Sequence, residues 1–463
     1  MVSNFDLAII GAGPGGFDAA LRARSLGFKV ALIEKSNPGG TCLNTGCIPS
    51  KSLLASTKLL TQIANAELFG LSSLKSQWDF SSVVGRKNRI VETLRKGMLD
   101  TLKRAGVDWI SGQASFLSKN KLQIKNEKET REIESQFVII ATGSQPTPFP
   151  GVPFDGNRIL SSSDLLELKT QPERLLILGG GVVGVEFASI FQPLGVRVTI
   201  VEMLERLIPG EDEEVGRRLE SLFNRKGIEI HTGEKVKTLT VRGGRVEAAL
   251  ESGKKLEAEQ VLIAIGRKPR LENLGLEKAG IKIERGSIAV SEYLETSSAG
   301  VFAIGDVTNR TTGLAHGASA EGLRVVENLK GPKLKMDYSA IPNCIYTDPE
   351  VASVRAVSEL SPQETVEAKV LFASLGNAHI EGEAEGFVKM IASRKEGRIL
   401  GVTGIGARMT EIIAEATLAV KNGMSVKTLA QTIHAHPTES EILQKAAQKI
   451  LHSSPANFPL DTK

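Results

Sequence analysis

Cys42 and Cys47 stand five positions apart in the run Gly39-Gly40-Thr41-Cys42-Leu43-Asn44-Thr45-Gly46-Cys47-Ile48-Pro49-Ser50-Lys51. Two thiols joined by a short loop that contains a glycine can reach bonding distance and cycle between dithiol and disulfide. A helical pattern through Leu53, Leu54 and Leu59 begins near Cys47, and Pro49 suits its first turn, where a missing N–H costs nothing. The helix N-terminus then points its dipole at the Cys47 sulfur, and Lys51, four residues on, shares that helix face. Such surroundings lower a thiol pKa from ~8.5 to roughly 3.5–7.5 and make a stable thiolate. The alternatives are a zinc half-site, which wants a second Cys or His pair at ligand spacing that is not visible here, and two inert buried thiols.

The elements that must hold this pair include an internal repeat. Leu7 to Glu34 reads LAIIGAGPGGFDAALRARSLGFKVALIE, and Leu175 to Glu202 reads LLILGGGVVGVEFASIFQPLGVRVTIVE, aligned without a gap. Each copy has an apolar strand, glycines at G-x-G-x-x-G spacing, a helix-period stretch, a second apolar strand and a terminal Glu. Gly11 and Gly179 would allow the tight turn, Gly13 and Gly181 the approach of a pyrophosphate, and Gly16 and Gly184 close helix packing. The phosphates would sit on the helix N-terminus, and Glu34 and Glu202 would accept hydrogen bonds from a ribose diol. A single copy of this pattern is weak, but two in matched context predict two dinucleotide sites. An acid at the second ribose position disfavours a 2′-phosphate, so NAD is expected over NADP there although Arg206 is near; otherwise Glu202 is only a solvated strand end.

Length and composition bound the rest. A chain of 463 residues is too long for one core and predicts several domains. Its 57 basic and 53 acidic residues are interspersed and give a net charge of +4, which offers no case for nucleic acid. No apolar run reaches the roughly 18 residues of a membrane span, and the start lacks the basic and apolar regions of an export signal. Three cysteines are too few for a disulfide framework, so a reducing cytoplasm is the expected compartment.

The stretch from Gly39 to Lys51 resembles the redox motif of the pyridine nucleotide-disulfide oxidoreductases of the glutathione reductase class, with Ile48-Pro49-Ser50-Lys51 similar to the dihydrolipoamide dehydrogenase branch. The resemblance covers nearly the whole chain. It implies an α/β fold of two Rossmann-like dinucleotide-binding domains and a C-terminal α+β dimerisation domain. The implied segments are 1–150 for FAD, 151–270 for NAD, 271–342 as a central part completing the FAD site, and 343–463 as the interface. It implies FAD at the first site, NAD at the second, Cys42 exchanging with substrate, Cys47 touching the flavin, and a Lys51–Glu186 pair near the flavin edge. Ala141-Thr142-Gly143-Ser144 and Gly266-Arg267-Lys268-Pro269 resemble the crossings between the two nucleotide domains. Val301 to Asp306 resembles the second FAD fingerprint, with Asp306 on the ribityl hydroxyls, and Ala315 is implied at the same cofactor.

His434-Ala435-His436-Pro437-Thr438-Glu439-Ser440-Glu441 resembles the C-terminal catalytic segment, which implies His436 as base and Glu441 as its orienting carboxylate, acting in the other subunit of a homodimer. Read from residues alone, a His-Pro is an ordinary turn histidine. The implied reaction oxidises dihydrolipoamide with NAD, on the lipoyl arm of an acyltransferase subunit of a 2-oxo acid dehydrogenase complex or of a glycine-cleavage H-type protein. The first strand begins by about Leu7, so that arm is expected on another chain. Departures from the family pattern are Phe17-Asp18 after the first glycines, Gly317 where lysine is frequent and Arg355 in place of a Gly. Within the class, glutathione-type reductases would carry arginines where Glu202 stands, mercuric and large thioredoxin reductases would carry extra C-terminal cysteines, and a soluble transhydrogenase would lack the cysteine pair. A purely structural subunit that docks on the acyltransferase core is the remaining alternative.

Overall fold

The computed structural model describes residues 3–72, 77–356, 361–453 and 458; the start and the end of the expected segments 1–150 and 343–463 lie outside these. The two copies of the repeat fold as parallel βαβ units in the same register. Ser3–Ile10 pairs Val30–Glu34 with Leu7 opposite Val30, and Arg174–Leu178 pairs Arg197–Val201 with Leu175 opposite Val198. These strands read as unbroken apolar runs because both faces are covered. In the second unit Leu175 and Ile177 enter one core, while Leu176 and Leu178 enter another on the opposite face.

The first unit grows into a seven-stranded sheet. Asp108–Ser111 flanks Val30–Glu34, and Thr130–Ile140 lies parallel to Ser3–Ile10. Val301–Ala303 returns from far along the chain to pair with Thr130–Ile140 in parallel, and the helix Ala315–Lys330 lies against the helix Pro14–Ser25. The second unit is a five-stranded parallel sheet beside a three-stranded antiparallel one. Ser144–Pro146 and Arg267–Pro269, the two expected crossings, pair with each other antiparallel, with Arg267 opposite Pro146 and Pro269 opposite Ser144. From Asn343 onward a five-stranded antiparallel sheet carries the helices Met409–Lys421 and Glu441–Ser453 over a core of its own. The fold is thus the expected α/β architecture with two Rossmann-like units and a C-terminal α+β unit.

The glycine turns obey one geometry in both copies. Gly11 and Gly179 both have φ of 107°, and a Cβ on Gly16 or Gly184 would lie 2.0 or 1.9 Å from the carbonyl oxygen of Gly11 or Gly179. No side chain fits there, because helix and turn backbone are already in contact. The departures are absorbed locally. Phe17 packs on the edge of the first core, and Arg355 ends its strand exposed. At Gly317 a Cβ would lie 2.2 Å from Thr312 Oγ1, so Thr312 occupies the space a larger residue would need.

If the second unit takes NAD and the first FAD, as the resemblance implies, Gly184→Ala, whose Cβ would overlap the Gly179 carbonyl oxygen, should weaken NAD binding while the flavin stays bound. Fluorescence titration with NAD and the visible absorbance of the same sample check this, and loss of flavin together with NAD would contradict it.

Candidate active site

Cys42 lies in a short helix, Gly40–Thr45, and Cys47 opens the helix Cys47–Ala64, so both sulfurs sit at the junction of the two. Pro49 is in the first turn, as its missing N–H favours. Both are free thiols, and Cys47 is exposed toward a cavity of about 1040 Å³. The hydrogen bond from Cys42, followed by the Lys51 ammonium, brings the Cys47 thiol down to about 7 against the opposing effects of burial and of Glu186. The same hydrogen bond and then burial hold the Cys42 proton far above the ordinary thiol range. One sulfur is therefore a thiolate near neutrality and the other its proton donor. This is the asymmetry a redox dithiol needs. Among the described residues no cluster of three or more His, Cys, Asp or Glu could hold a metal.

Lys51 Nζ donates to both carboxylate oxygens of Glu186, 2.7 Å each, from one face of the redox helix to the helix Val182–Phe191 of the second unit. Glu186 also accepts from the Tyr346 backbone N–H at 3.0 Å, and Lys51 Nζ stands 4.5 Å from the centre of the Tyr346 ring. Tyr346, which no sequence pattern singled out, brings the C-terminal sheet to this point. Burial first, then neighbouring anions, push its hydroxyl up to about 12, so it stays neutral.

The cavity runs from Cys42, Cys47, Lys51 and Glu186 to Gly11, Gly13 and Glu34, and past Thr142, Gly143, Ser144, Arg267, Asp306 and Ala315. The nearest atom to a Cβ on Gly13 would be 3.9 Å away, so the turn's backbone is open for a phosphate. Glu34 is turned into the turn, accepting from the Ala12 N–H at 2.9 Å and the Ser36 N–H at 3.0 Å, and still borders the cavity. Ser144 Oγ donates to Asp306 at 2.6 Å, and Arg267 Nε donates to Ser144 Oγ at 2.8 Å, which fixes Asp306 from the crossing ribbon. Behind it the buried Glu321 accepts from the Gly305 N–H at 2.6 Å and the Tyr338 hydroxyl at 2.8 Å, contacts for which the sequence holds no local signal.

Gly179, Gly181 and Gly184, of the second glycine turn, Glu202, just past the strand Arg197–Val201, and Gly266, just past the strand Gln260–Ile263, lie outside this cavity. A Cβ on Gly181 would meet nothing within 4 Å. Glu202 is buried and accepts from Gly180 N–H at 2.6 Å and Leu204 N–H at 2.8 Å, so it is not a solvated strand end. Arg206 folds back to donate to the Pro209 carbonyl at 3.0 Å, with its stem against Gly216, which leaves the acid as the marked group of the turn. Both turns fit a dinucleotide, the first with a deep cavity beyond it.

His436 and Glu441 are together, and neither lines the cavity that the two thiols border. Nδ1 of His436 lies 2.9 Å from Glu441 Oε1, and the Thr438 N–H donates to Glu441 Oε2 at 3.0 Å. The hydrogen bond with His436 lowers the Glu441 carboxyl, so it is an ionised acceptor, Nδ1 carries the proton and Nε2 is left as the basic nitrogen. The His436 side chain is 76% exposed. His434, by contrast, has both ring nitrogens engaged, one with Glu415 and one with the Thr432 carbonyl.

Residues 5–322 match the family model for pyridine nucleotide-disulphide oxidoreductases, and residues 341–447 match that family's dimerisation domain. The chain belongs to this family. Among its relatives, a dihydrolipoyl dehydrogenase of Bacillus subtilis is 40% identical over 453 residues, 95% of this chain and 97% of its own. One from Chlamydia muridarum is 39% identical over 96% of each chain. The solved structure of LpdA from Mycobacterium tuberculosis superposes with a TM-score of 0.89 at 27% identity, covering 97% of this chain and 99% of the other. That of the HOCl-induced flavoprotein disulfide reductase RclA of Escherichia coli has a TM-score of 0.87 at 28% identity, covering 97% of this chain and all of the other. As a pyridine nucleotide-disulphide oxidoreductase the protein uses FAD and NAD(H). Among the described residues no helix is long and apolar enough to cross a membrane.

The thiolate geometry makes a pH prediction. In the reduced protein, alkylation of Cys47 by iodoacetamide should follow an apparent pKa of about 7, falling tenfold per pH unit below it. Cys42→Ala removes the hydrogen bond that lowers it most, so the inflection should move up toward the usual thiol range; an unmoved inflection would contradict the assignment.

Proposed function

We propose that the protein oxidises dihydrolipoamide to lipoamide and reduces NAD+ to NADH, working as a homodimer. The observation that carries this is the Cys47 thiolate beside the Cys42 thiol and Lys51, on a cavity that leads to the first glycine turn. The name shared by the curated relatives supports the substrate.

In this reading Gly11, Gly13, Gly16, Glu34, Thr142, Gly143, Ser144, Arg267, Asp306 and Ala315 hold FAD, with Lys51 and Glu186 at its reactive edge. Gly179, Gly181, Gly184, Glu202 and Gly266 hold NAD. The segments 1–150 and 271–342 share the flavin, which the pairing of Val301–Ala303 with the first sheet supports. Segment 151–270 takes NAD, and 343–463 meets the second subunit. Ile433, 95% exposed three residues before His436, and the exposed Leu418 favour such a covered interface.

A substrate thiol gives its proton to His436 Nε2 of the opposite subunit, whose imidazolium Glu441 steadies. The thiolate attacks Cys42 Sγ, the Cys42–Cys47 bond breaks, and Cys47 leaves as a thiolate held by Lys51. The second substrate thiol then attacks the substrate sulfur bound to Cys42. Lipoamide departs as a disulfide, Cys42 leaves protonated, and two electrons rest on the cysteine pair. FAD, when bound, supplies the two-electron relay from the dithiol to NAD+. The lipoyl arm is carried by an acyltransferase subunit of a 2-oxo acid dehydrogenase complex or by a glycine-cleavage H-type protein. Three cysteines, too few for a disulfide framework, suit a cytoplasmic setting.

Purified protein should turn over dihydrolipoamide with NAD far faster than glutathione disulfide with NADPH. His436→Gln should lower kcat by about 10²–10⁴-fold, and Cys47→Ser should abolish turnover while FAD stays bound. Faster glutathione turnover, or a colourless protein, would overturn the reading.

A further inference from the structure

The long helix Phe80–Ala105 presents an inward stripe of Phe80, Val84, Lys87, Val91, Arg95, Met98 and Leu102, spaced three and four apart. A stripe needed only for packing would be apolar throughout. Two of its seven places hold cations instead. Lys87, 1% exposed, donates from Nζ to the Leu166 carbonyl at 2.8 Å and to Glu167 at 2.7 Å. A buried ammonium on an apolar stripe costs free energy unless it is bonded in this way. Leu166 and Ser162 of the bonded segment border the main cavity.

Arg95, two turns further along, reaches the redox loop itself. Its Nε donates to Asn44 Oδ1 at 2.5 Å. Asn44 lies between the two cysteines, and its Nδ2 donates to the carbonyls of Pro38 at 2.9 Å and Gly40 at 2.8 Å. The Gly39 N–H in turn donates to the Ala12 carbonyl at 2.8 Å, and the Ala12 N–H to Glu34. Gly40 is so close to the first glycine turn that a Cβ there would lie 2.6 Å from the Gly13 Cα. The dithiol loop, the flavin-side turn and Glu34 are therefore one hydrogen-bonded chain, and Arg95 fixes its free end. With Oδ1 held by Arg95, the Asn44 amide has a single orientation, and both Nδ2 donors face the Pro38 and Gly40 carbonyls at the start of the helix that carries Cys42.

We propose that Arg95 is a positioning residue that sets the equilibrium between the Cys42–Cys47 disulfide and dithiol by bracing Asn44. It rests on the reading of these cysteines as the redox couple, and it deepens that reading. Without the brace the Cys42 segment gains freedom relative to the Cys47 helix. The effective concentration of one thiol at the other then falls, and the couple shifts toward the dithiol.

The experiment equilibrates FAD-loaded wild type, Arg95→Met and Arg95→Lys with graded mixtures of dihydrolipoamide and lipoamide, then traps free Cys42 and Cys47 by alkylation. Methionine keeps the stem and loses the donor, whereas lysine restores a donor. The expected result is an Arg95→Met equilibrium about tenfold toward dithiol, which is about 30 mV for a two-electron couple, with FAD retained and Lys recovering most of the shift. A wild-type equilibrium in Arg95→Met, no recovery with Lys, or loss of FAD or of the fold in Arg95→Met would overturn the proposal. A wild type that does not equilibrate with lipoamide at all would instead overturn the functional reading on which it rests.

Discussion

Lys51 and Glu186 form the contact on which the rest of the arrangement depends. The carboxylate is nearly buried, and the ammonium bonded to both its oxygens comes from the redox helix, so each ion answers the desolvation of the other. Breaking such a pair by removing one partner is costly, because a buried charge is left uncompensated. The pair also has a position that no apolar contact could replace. It joins the helix that begins at Cys47 to the helix that follows the second glycine turn, and Tyr346 adds the C-terminal sheet. Three parts of the chain thus meet where the thiolate is stabilised.

That meeting explains the division of charge at the dithiol. Lys51 lowers the Cys47 pKa and Glu186 raises it, so the pair tempers the field on the thiolate. The Cys42 hydrogen bond then has the largest influence. A thiolate whose pKa is near ambient pH is also a good nucleophile and leaving group, since nucleophilicity falls as pKa falls. The Cys42 hydrogen bond against burial, with the smaller opposed influences of Lys51 and Glu186, sets Cys47 in that range.

The parts of this site that were legible in sequence are those where chemistry or backbone geometry forces local spacing. Gly11 and Gly16, with their counterparts Gly179 and Gly184, are dictated by contacts within a few residues, so the repeat could be read and aligned without a gap. Cys42, Cys47 and Lys51 share one loop and one helix turn. Pairing of Ser144–Pro146 with Arg267–Pro269 was expected only as two crossings, because the sequence carries no sign that the two strands touch. Tyr346, Glu321 and Arg95 were missed for the same reason: each acts through one contact with a segment distant in sequence. Arg95 did leave a signal, a cation at an apolar position of a helical stripe, but its partner Asn44 lies 51 residues earlier. His436 is legible only by likeness. Its geometry with Glu441 is local, while it does not line the cavity that holds the thiols it serves in the proposed reaction.

The most direct test of this account is a double-mutant cycle on the ion pair, with Lys51→Met, Glu186→Gln and both together, read out as the pH dependence of Cys47 alkylation in the reduced protein. The account predicts that loss of Lys51 moves the thiol pKa up from about 7, that loss of Glu186 moves it down, and that the double variant lies between. A Cys47 pKa that stays in place when either partner is removed would contradict it.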